Sequence, residues 1–134
     1  MAEQVEFELV SPEKLLLSEP VDMVVVPGGD GNFGVLPRHS PLISTVRPGV
    51  IDVYQKGSVE QRIFVAGGFA EVTGERCTVL AEEAVPLDEI DRGETEQALM
   101  DAREDLADTK EAAYKKDIEG RIKVLEAKLD AIKK

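Results

Sequence analysis

Every proline of this 134-residue chain lies between Pro12 and Pro86, and 15 of its 16 valines lie between Val5 and Val85. Proline removes an amide donor and fixes φ, so prolines at this spacing exclude long helices. Valine, branched at Cβ, suits the pleated, half-buried surface of a strand. Past Pro86 the character changes: 24 of the last 48 residues are charged, against 19 of the first 86. The sequence therefore reads as two domains, a β domain over 1–86 and a helical one over 87–134.

In the first domain apolar residues alternate with polar ones. Val5, Phe7 and Leu9 flank Glu6 and Glu8; Ile51 and Val53 flank Asp52; Cys77, Val79 and Ala81 include Thr78. Turn signals separate these runs at Gly28–Gly31, Pro48-Gly49, Lys56-Gly57-Ser58 and Thr73-Gly74-Glu75. Short strands at that spacing predict an antiparallel β-sandwich or flattened barrel. Gly67-Gly68 interrupts a strand and predicts a bulge or a close backbone approach.

In the second domain the period becomes helical. Asp88 is the expected N-cap of a first helix running to about Thr109, with Thr95, Leu99, Ala102 and Leu106 on one face. After a turn near Asp108-Thr109 and Ala112, a second helix carries Tyr114, Ile118, Ile122, Leu125, Leu129 and Ile132 as one stripe. Residues 87–111 hold ten acidic and three basic side chains, and 112–134 four acidic and seven basic, so the two helices attract when antiparallel. Gly93 and Gly120 each cost a helix interior about 1 kcal/mol relative to Ala. The fold class is thus β + α: an N-terminal antiparallel sandwich followed by a C-terminal antiparallel two-helix hairpin.

Composition narrows the function. A net charge of −11 and 4% aromatics with no Trp argue against a nucleic-acid surface, which needs a basic footprint and stacking rings. Cys77 has no partner in the sequence and reads as a buried, reduced thiol. The acidic start Met-Ala-Glu-Gln predicts no targeting segment. No apolar run approaches the ~20 residues of a membrane span, so any membrane association is expected to be indirect.

Gly29-Asp30-Gly31-Asn32-Phe33-Gly34 fits the G-x-G-x-x-G pattern after an apolar run, but that fingerprint requires a helix to open at its last glycine. Pro37 and Pro41 forbid one. A hairpin is expected instead, with Asp30-Gly31 turning between Met23–Val26 and Phe33–Leu36. His39 in Pro37-Arg38-His39-Ser40-Pro41 has neither a glycine-flanked serine nor a metal-ligating cluster around it, and reads as a contact residue. No catalytic residue, metal site or cofactor is expected. Three classes are open on these grounds: an enzyme, an interaction subunit, or a free-standing helical-hairpin adaptor. A sandwich bare of catalytic groups beside an apolar helical stripe favours the second.

The stretches GGDGNFGVLPRHSPLISTVRPGVIDV (28 to 53) and FVAGGFAEVTGERCTVLAEEA (64 to 84), followed by two charged helices, resemble the epsilon subunit of bacterial F-type ATP synthase, the counterpart of the mitochondrial delta subunit. The resemblance implies a non-catalytic central-stalk subunit that links gamma to the c-ring for rotational coupling, peripheral on the cytoplasmic face of the bacterial inner membrane. It implies a ring contact at the hairpin tip, Asp30, Gly31, Asn32 and Phe33, with the nearby His39. It also implies that the terminal helices regulate ATP hydrolysis, either folded down against the sandwich or extended along gamma into the alpha/beta head. Leu99, Ala102, Leu106, Ile118, Ile122, Leu125 and Leu129 would form the hairpin interface. Members that bind ATP between these helices carry Ile/Leu-Asp followed, after two positions, by Arg-Ala. Here Ile90-Asp91 matches, but Glu94 and Thr95 stand at the Arg-Ala positions and Arg121 is left without the usual cluster. Nucleotide binding is expected to be weak or absent, since a carboxylate repels a triphosphate.

Overall fold

The structure, a computed structural model, describes residues 3–133; Met1, Ala2 and Lys134 lie outside it, and with them the first two residues of the start read as free of a targeting segment. The described residues divide into two compact units at Pro86/Leu87. In sequence order the strands of the first unit are β1 (Val5–Val10), β2 (Leu15–Val21), β3 (Met23–Gly28), β4 (Gly31–Val35), β5 (Leu42–Thr45), β6 (Gly49–Gln55), β7 (Ser58–Ala66), β8 (Phe69–Val72), β9 (Arg76–Leu80) and β10 (Glu83–Pro86). They form two five-stranded sheets, ordered β2-β1-β9-β8-β5 and β10-β7-β6-β3-β4.

The alternation read in the sequence is the core. Val5, Phe7, Leu9, Ile51, Val53, Cys77, Val79 and Ala81 are all buried between the sheets, joined by Val24, Val26, Val35 and Val72. Pairing is antiparallel throughout except between β1 and β9, which run parallel from Glu6↔Arg76 to Val10↔Leu80. These strands lie far apart in sequence and meet only because both bury the same kind of alternating face. Local signals therefore do not reveal their relative direction.

The β3–β4 hairpin turns one residue earlier than expected. Its loop is Gly29-Asp30, Gly28 pairs with Gly31, and Val24 pairs with Val35. A turn centred on Asp30-Gly31 would instead set Val24 opposite Pro37, which has no N–H to give the ladder. Gly67 and Gly68, with φ of +74° and +90°, form the corner at which the backbone leaves β7 in one sheet and enters β8 in the other. A Cβ on Gly68 would overlap the Leu80 carbonyl, so the close approach predicted for this pair is real.

In the second unit a single 3-10 turn at Leu87–Glu89 precedes α1 (Arg92–Asp108) and α2 (Ala112–Ile132). The cap of α1 is Asp91 rather than Asp88: its carboxylate accepts the Glu94 amide at 2.9 Å, while Asp88 sits inside the 3-10 turn. Asp91-Arg92-Gly93-Glu94 has an acid three residues after its cap, the spacing of a capping box, and that spacing outweighs the proline signal that favoured Asp88. Gly93 consequently falls in the first turn, and only Gly120 interrupts a helix interior.

The helices pack through Leu99, Ala102 and Leu125, with Ile118, Ile122 and Leu129 half-buried against them. Leu106 is half-buried outside that cluster. The predicted stripe does not extend to its first member: Tyr114 is 61% exposed. The last turn of α1, Asp105 to Asp108, offers only Leu106 and Ala107 as apolar surface, too little to cover a tyrosine ring.

Candidate partner-binding surfaces

The tip of the β3–β4 hairpin is built from its loop outward. β4 is an edge strand, and β3 pairs with β6 only over Met23–Val25, so Pro27 to Asn32 project beyond the sheet. The segment Thr45-Val46-Arg47 supports them where the backbone passes from one sheet to the other. The Gly29 amide donates to the Thr45 carbonyl at 2.9 Å and the Arg47 amide to that of Pro27 at 3.0 Å. The Arg47 guanidinium reaches further, with Nη1 donating to the Gly28 carbonyl at 2.7 Å and Nη2 to Asn32 Oδ1 at 2.6 Å. Asp30 and Gly31 are exposed at the apex, Asn32 is exposed but tied down, and Phe33 is half-buried against the core.

His39 is not beside this tip. It follows β4 at the end away from the Gly29-Asp30 loop, and the five residues of β4, roughly 15 Å of strand, run from that loop to the segment that holds His39. There its Nδ1 lies 2.7 Å from the Ser40 carbonyl, its amide donates to the Leu36 carbonyl, and the neighbouring Arg38, at φ 68°, donates its amide to the Gly74 carbonyl and pairs with Glu3. Proximity in sequence suggested one site, but β4 leads away from the tip before His39 is reached.

The outer face of the first sheet holds a second surface. Register places Thr45 opposite Phe69, Phe69 opposite Leu80, Leu80 opposite Val10 and Val10 opposite Leu15. One row thus crosses all five strands, and it is apolar at four of its five positions. Phe69 is 49% and Leu15 56% exposed, and Ile43 on the edge strand is 71% exposed. The next row, Ser18, Glu8, Thr78 and Glu71, is polar until it reaches Ile43 on the edge strand; Thr78 donates to Glu8 at 3.2 Å, and Arg76 beyond it pairs with Glu8 at 3.3 Å. An apolar row left in water across a whole sheet, rimmed by charge, is the pattern of a protein contact face. Neither this face nor Arg47 stood out in the sequence. The alternation Phe69-Ala70-Glu71-Val72 held a signal for the first, since its outward set includes a phenylalanine.

Among the described residues no cluster of three His, Cys, Asp or Glu side chains could hold a metal. Burial pushes the Cys77 thiol up to about 12, which keeps it un-ionised and unreactive at neutral pH. Asp91, half of the degenerate nucleotide motif with Ile90, is engaged as the cap of α1; Thr95 is buried, with its hydroxyl donating to the Asp91 carbonyl at 2.7 Å. The groove beside the helices, about 560 Å³, is lined by Glu96, Leu99, Met100, Arg103, Glu104, Ala107 and Leu129, so two carboxylates face one guanidinium. That balance does not suit a polyanion.

Residues 4–87 match the beta-sandwich domain of the ATP synthase Delta/Epsilon chain family, and residues 91–134 match the family of the C-terminal domain of the ATP synthase epsilon chain. An ATP synthase epsilon chain of Rhodospirillum centenum is 58% identical over 137 residues, covering 98% of this protein and 94% of the relative. That of Rhodospirillum rubrum is 56% identical over 133 residues, covering 99% of each. Among solved structures, a component of the Euglena gracilis mitochondrial ATP synthase assembly of OSCP, F1 and c-ring superposes with a TM-score of 0.79 at 28% identity, covering 92% of this protein and 78% of that one. Matched in both of its domains and along nearly its whole length, the protein belongs to the ATP synthase epsilon-chain family.

Proposed function

We propose that this protein, a non-catalytic central-stalk subunit of an ATP synthase, joins the gamma subunit to the c-ring through two surfaces of its sandwich. The apolar row on the outer face receives gamma, and the hairpin tip from Asp30 to Phe33 rests on the polar loops of the ring. His39, held at the other end of β4, lies outside the ring contact. The terminal helices contribute regulation of hydrolysis by their contact with the alpha/beta head, and no nucleotide is held between them. The subunit is peripheral to the cytoplasmic face of the bacterial inner membrane; no described helix is long and apolar enough to cross a membrane.

The observation that carries this reading is the row Phe69, Leu80, Val10, Leu15. Its four strands at about 4.8 Å spacing make it roughly 14 Å long, wide enough to seat a helix. The row leaves the core complete without it, because the inward positions of the same strands are already filled by Ala70, Val79, Leu9 and Leu17. Its exposure therefore serves a contact.

Calorimetric titration of purified gamma tests the assignment. Phe69→Asp would bury a carboxylate in an apolar interface and is expected to weaken binding at least about tenfold. Val59→Asp, at an exposed apolar position on the other sheet, is expected to leave it unchanged. Unaltered affinity in Phe69→Asp would remove the outer face from the gamma contact.

A further inference from the structure

The hairpin tip projects past the sheet as a two-stranded ribbon, an arrangement that is marginal in water by itself. What replaces the missing neighbour strand is the strap Thr45-Val46-Arg47. Thr45 and Val46 are each bonded in two directions, and Arg47 adds three bonds to the hairpin. Thr45 pairs with Phe69 of the apolar row, and its carbonyl accepts the Gly29 amide. Val46 is buried, bridges to Gly28, and donates its amide to the Gly68 carbonyl at 3.1 Å. Arg47 grips Pro27 by its amide and both Gly28 and Asn32 by its guanidinium.

The backbone bonds of the strap stop at Gly29. Only the Arg47 side chain reaches across to β4, where it holds Asn32 on the far side of the loop. That side chain is exposed and makes no ion pair among the described residues; both of its acceptors are neutral. An exposed arginine committed to two neutral acceptors on opposite strands of one hairpin is not there for charge balance. Its planar fork spans two acceptors at once, which a lysine ammonium on a flexible stem does not reproduce.

We propose that Arg47 is a positioning residue: through the strap it locks the hairpin tip to the apolar row, so that the two docking surfaces of the sandwich move as one body. The proposal rests on the reading of the tip as the ring contact, and its test separates the two. Amide exchange of Gly29 to Asn32 is measured in the full-length protein for wild type, Arg47→Lys, Arg47→Ala and Asn32→Asp. The arginine variants are expected to exchange at the tip about tenfold faster, with exchange in β6 and β9 unchanged. Asn32→Asp, which keeps the acceptor and gives it charge, is expected to exchange no faster than wild type. If Arg47→Ala does not fold, Arg47→Lys carries the test. ATP-driven proton pumping per ATP hydrolysed is then measured in the assembled complex, where Arg47→Lys is expected to fall about twofold or more with gamma affinity retained. Tip exchange at the wild-type rate in the arginine variants overturns the proposal. Faster tip exchange with unaltered pumping upholds the positioning and overturns the ring contact.

Discussion

At the scale of single residues, the most informative side chains are those whose surroundings forbid an alternative. Cys77 lies between Phe7 on β1 and Val72 on β8, fully buried, and its thiol is pushed up from 9.0 to about 12 by loss of solvation. From pH 9 to 12 the unfolded state therefore ionises this thiol while the native one does not. The unfolded state binds fewer protons, so stability falls as pH rises through that window, by up to about 1.4 kcal/mol per pH unit, and the effect is absent below pH 9. Denaturant titrations at pH 8 and pH 10, each compared with Cys77→Ala, isolate the contribution. Equal pH dependence in the two proteins would show that the thiol is solvated. Cys77 as a buried thiol was legible from its place in an alternating run. Arg47 was not, because an arginine in a turn-rich segment carries no mark of which carbonyl it will reach.

At the scale of elements, the helical hairpin shows how a local pattern and its packing part ways. Leu99, Ala102 and Leu125 pack on the faces that periodicity assigned them, but Leu106 lies outside their cluster, the cap of α1 is Asp91, and Tyr114 is left in water. One ion pair between the helices, Arg103 to Glu126 at 3.2 Å, takes the basic residue from the acidic helix and the acidic residue from the basic one. Such exposed pairs are worth about 0.2 to 1 kcal/mol, so the packing of Leu99, Ala102 and Leu125 with Ala98, Ile118, Ile122 and Leu129 supplies most of the cohesion. Gly120 weakens it further. A methyl there would meet nothing within 4 Å, so Gly120→Ala is expected to stabilise α2 by about 1 kcal/mol. Amide exchange in α2 should slow roughly fivefold. Unchanged or faster exchange would mean that the glycine answers to a conformation of α2 other than this one.

At the scale of the whole molecule, both proposed docking surfaces belong to the unit that ends at Pro86, and the helices form a unit of their own. Removing residues 87–134 is therefore expected to leave gamma binding and coupled pumping intact. The packed hairpin and the opposite charge of its helices, −7 against +3, favour the closed form. If fewer than half of the assembled complexes hold the helices extended, truncation raises hydrolysis by less than about twofold. Steady-state hydrolysis by complexes carrying the full-length or truncated subunit measures this, and a rise of about tenfold would show that the extended form dominates.

The sequence by itself determined the two-part architecture, the inward residues of most strands and the facing stripes of the helices. Each of these rests on interactions whose period is local: valine and proline restrict their own backbone, and alternation or a 3.6-residue repeat sorts side chains by face. It also carried the family resemblance, in stretches long enough to be specific. Only the tertiary structure decided the parallel pairing of β1 with β9, the one-residue shift of the hairpin loop, the separation of His39 from the tip, and the junction of Thr45, Val46 and Arg47 with Gly28, Asn32 and Gly68. Those features arise where segments distant in sequence satisfy one another's hydrogen bonds, and a backbone carbonyl that accepts such a bond looks the same in every residue.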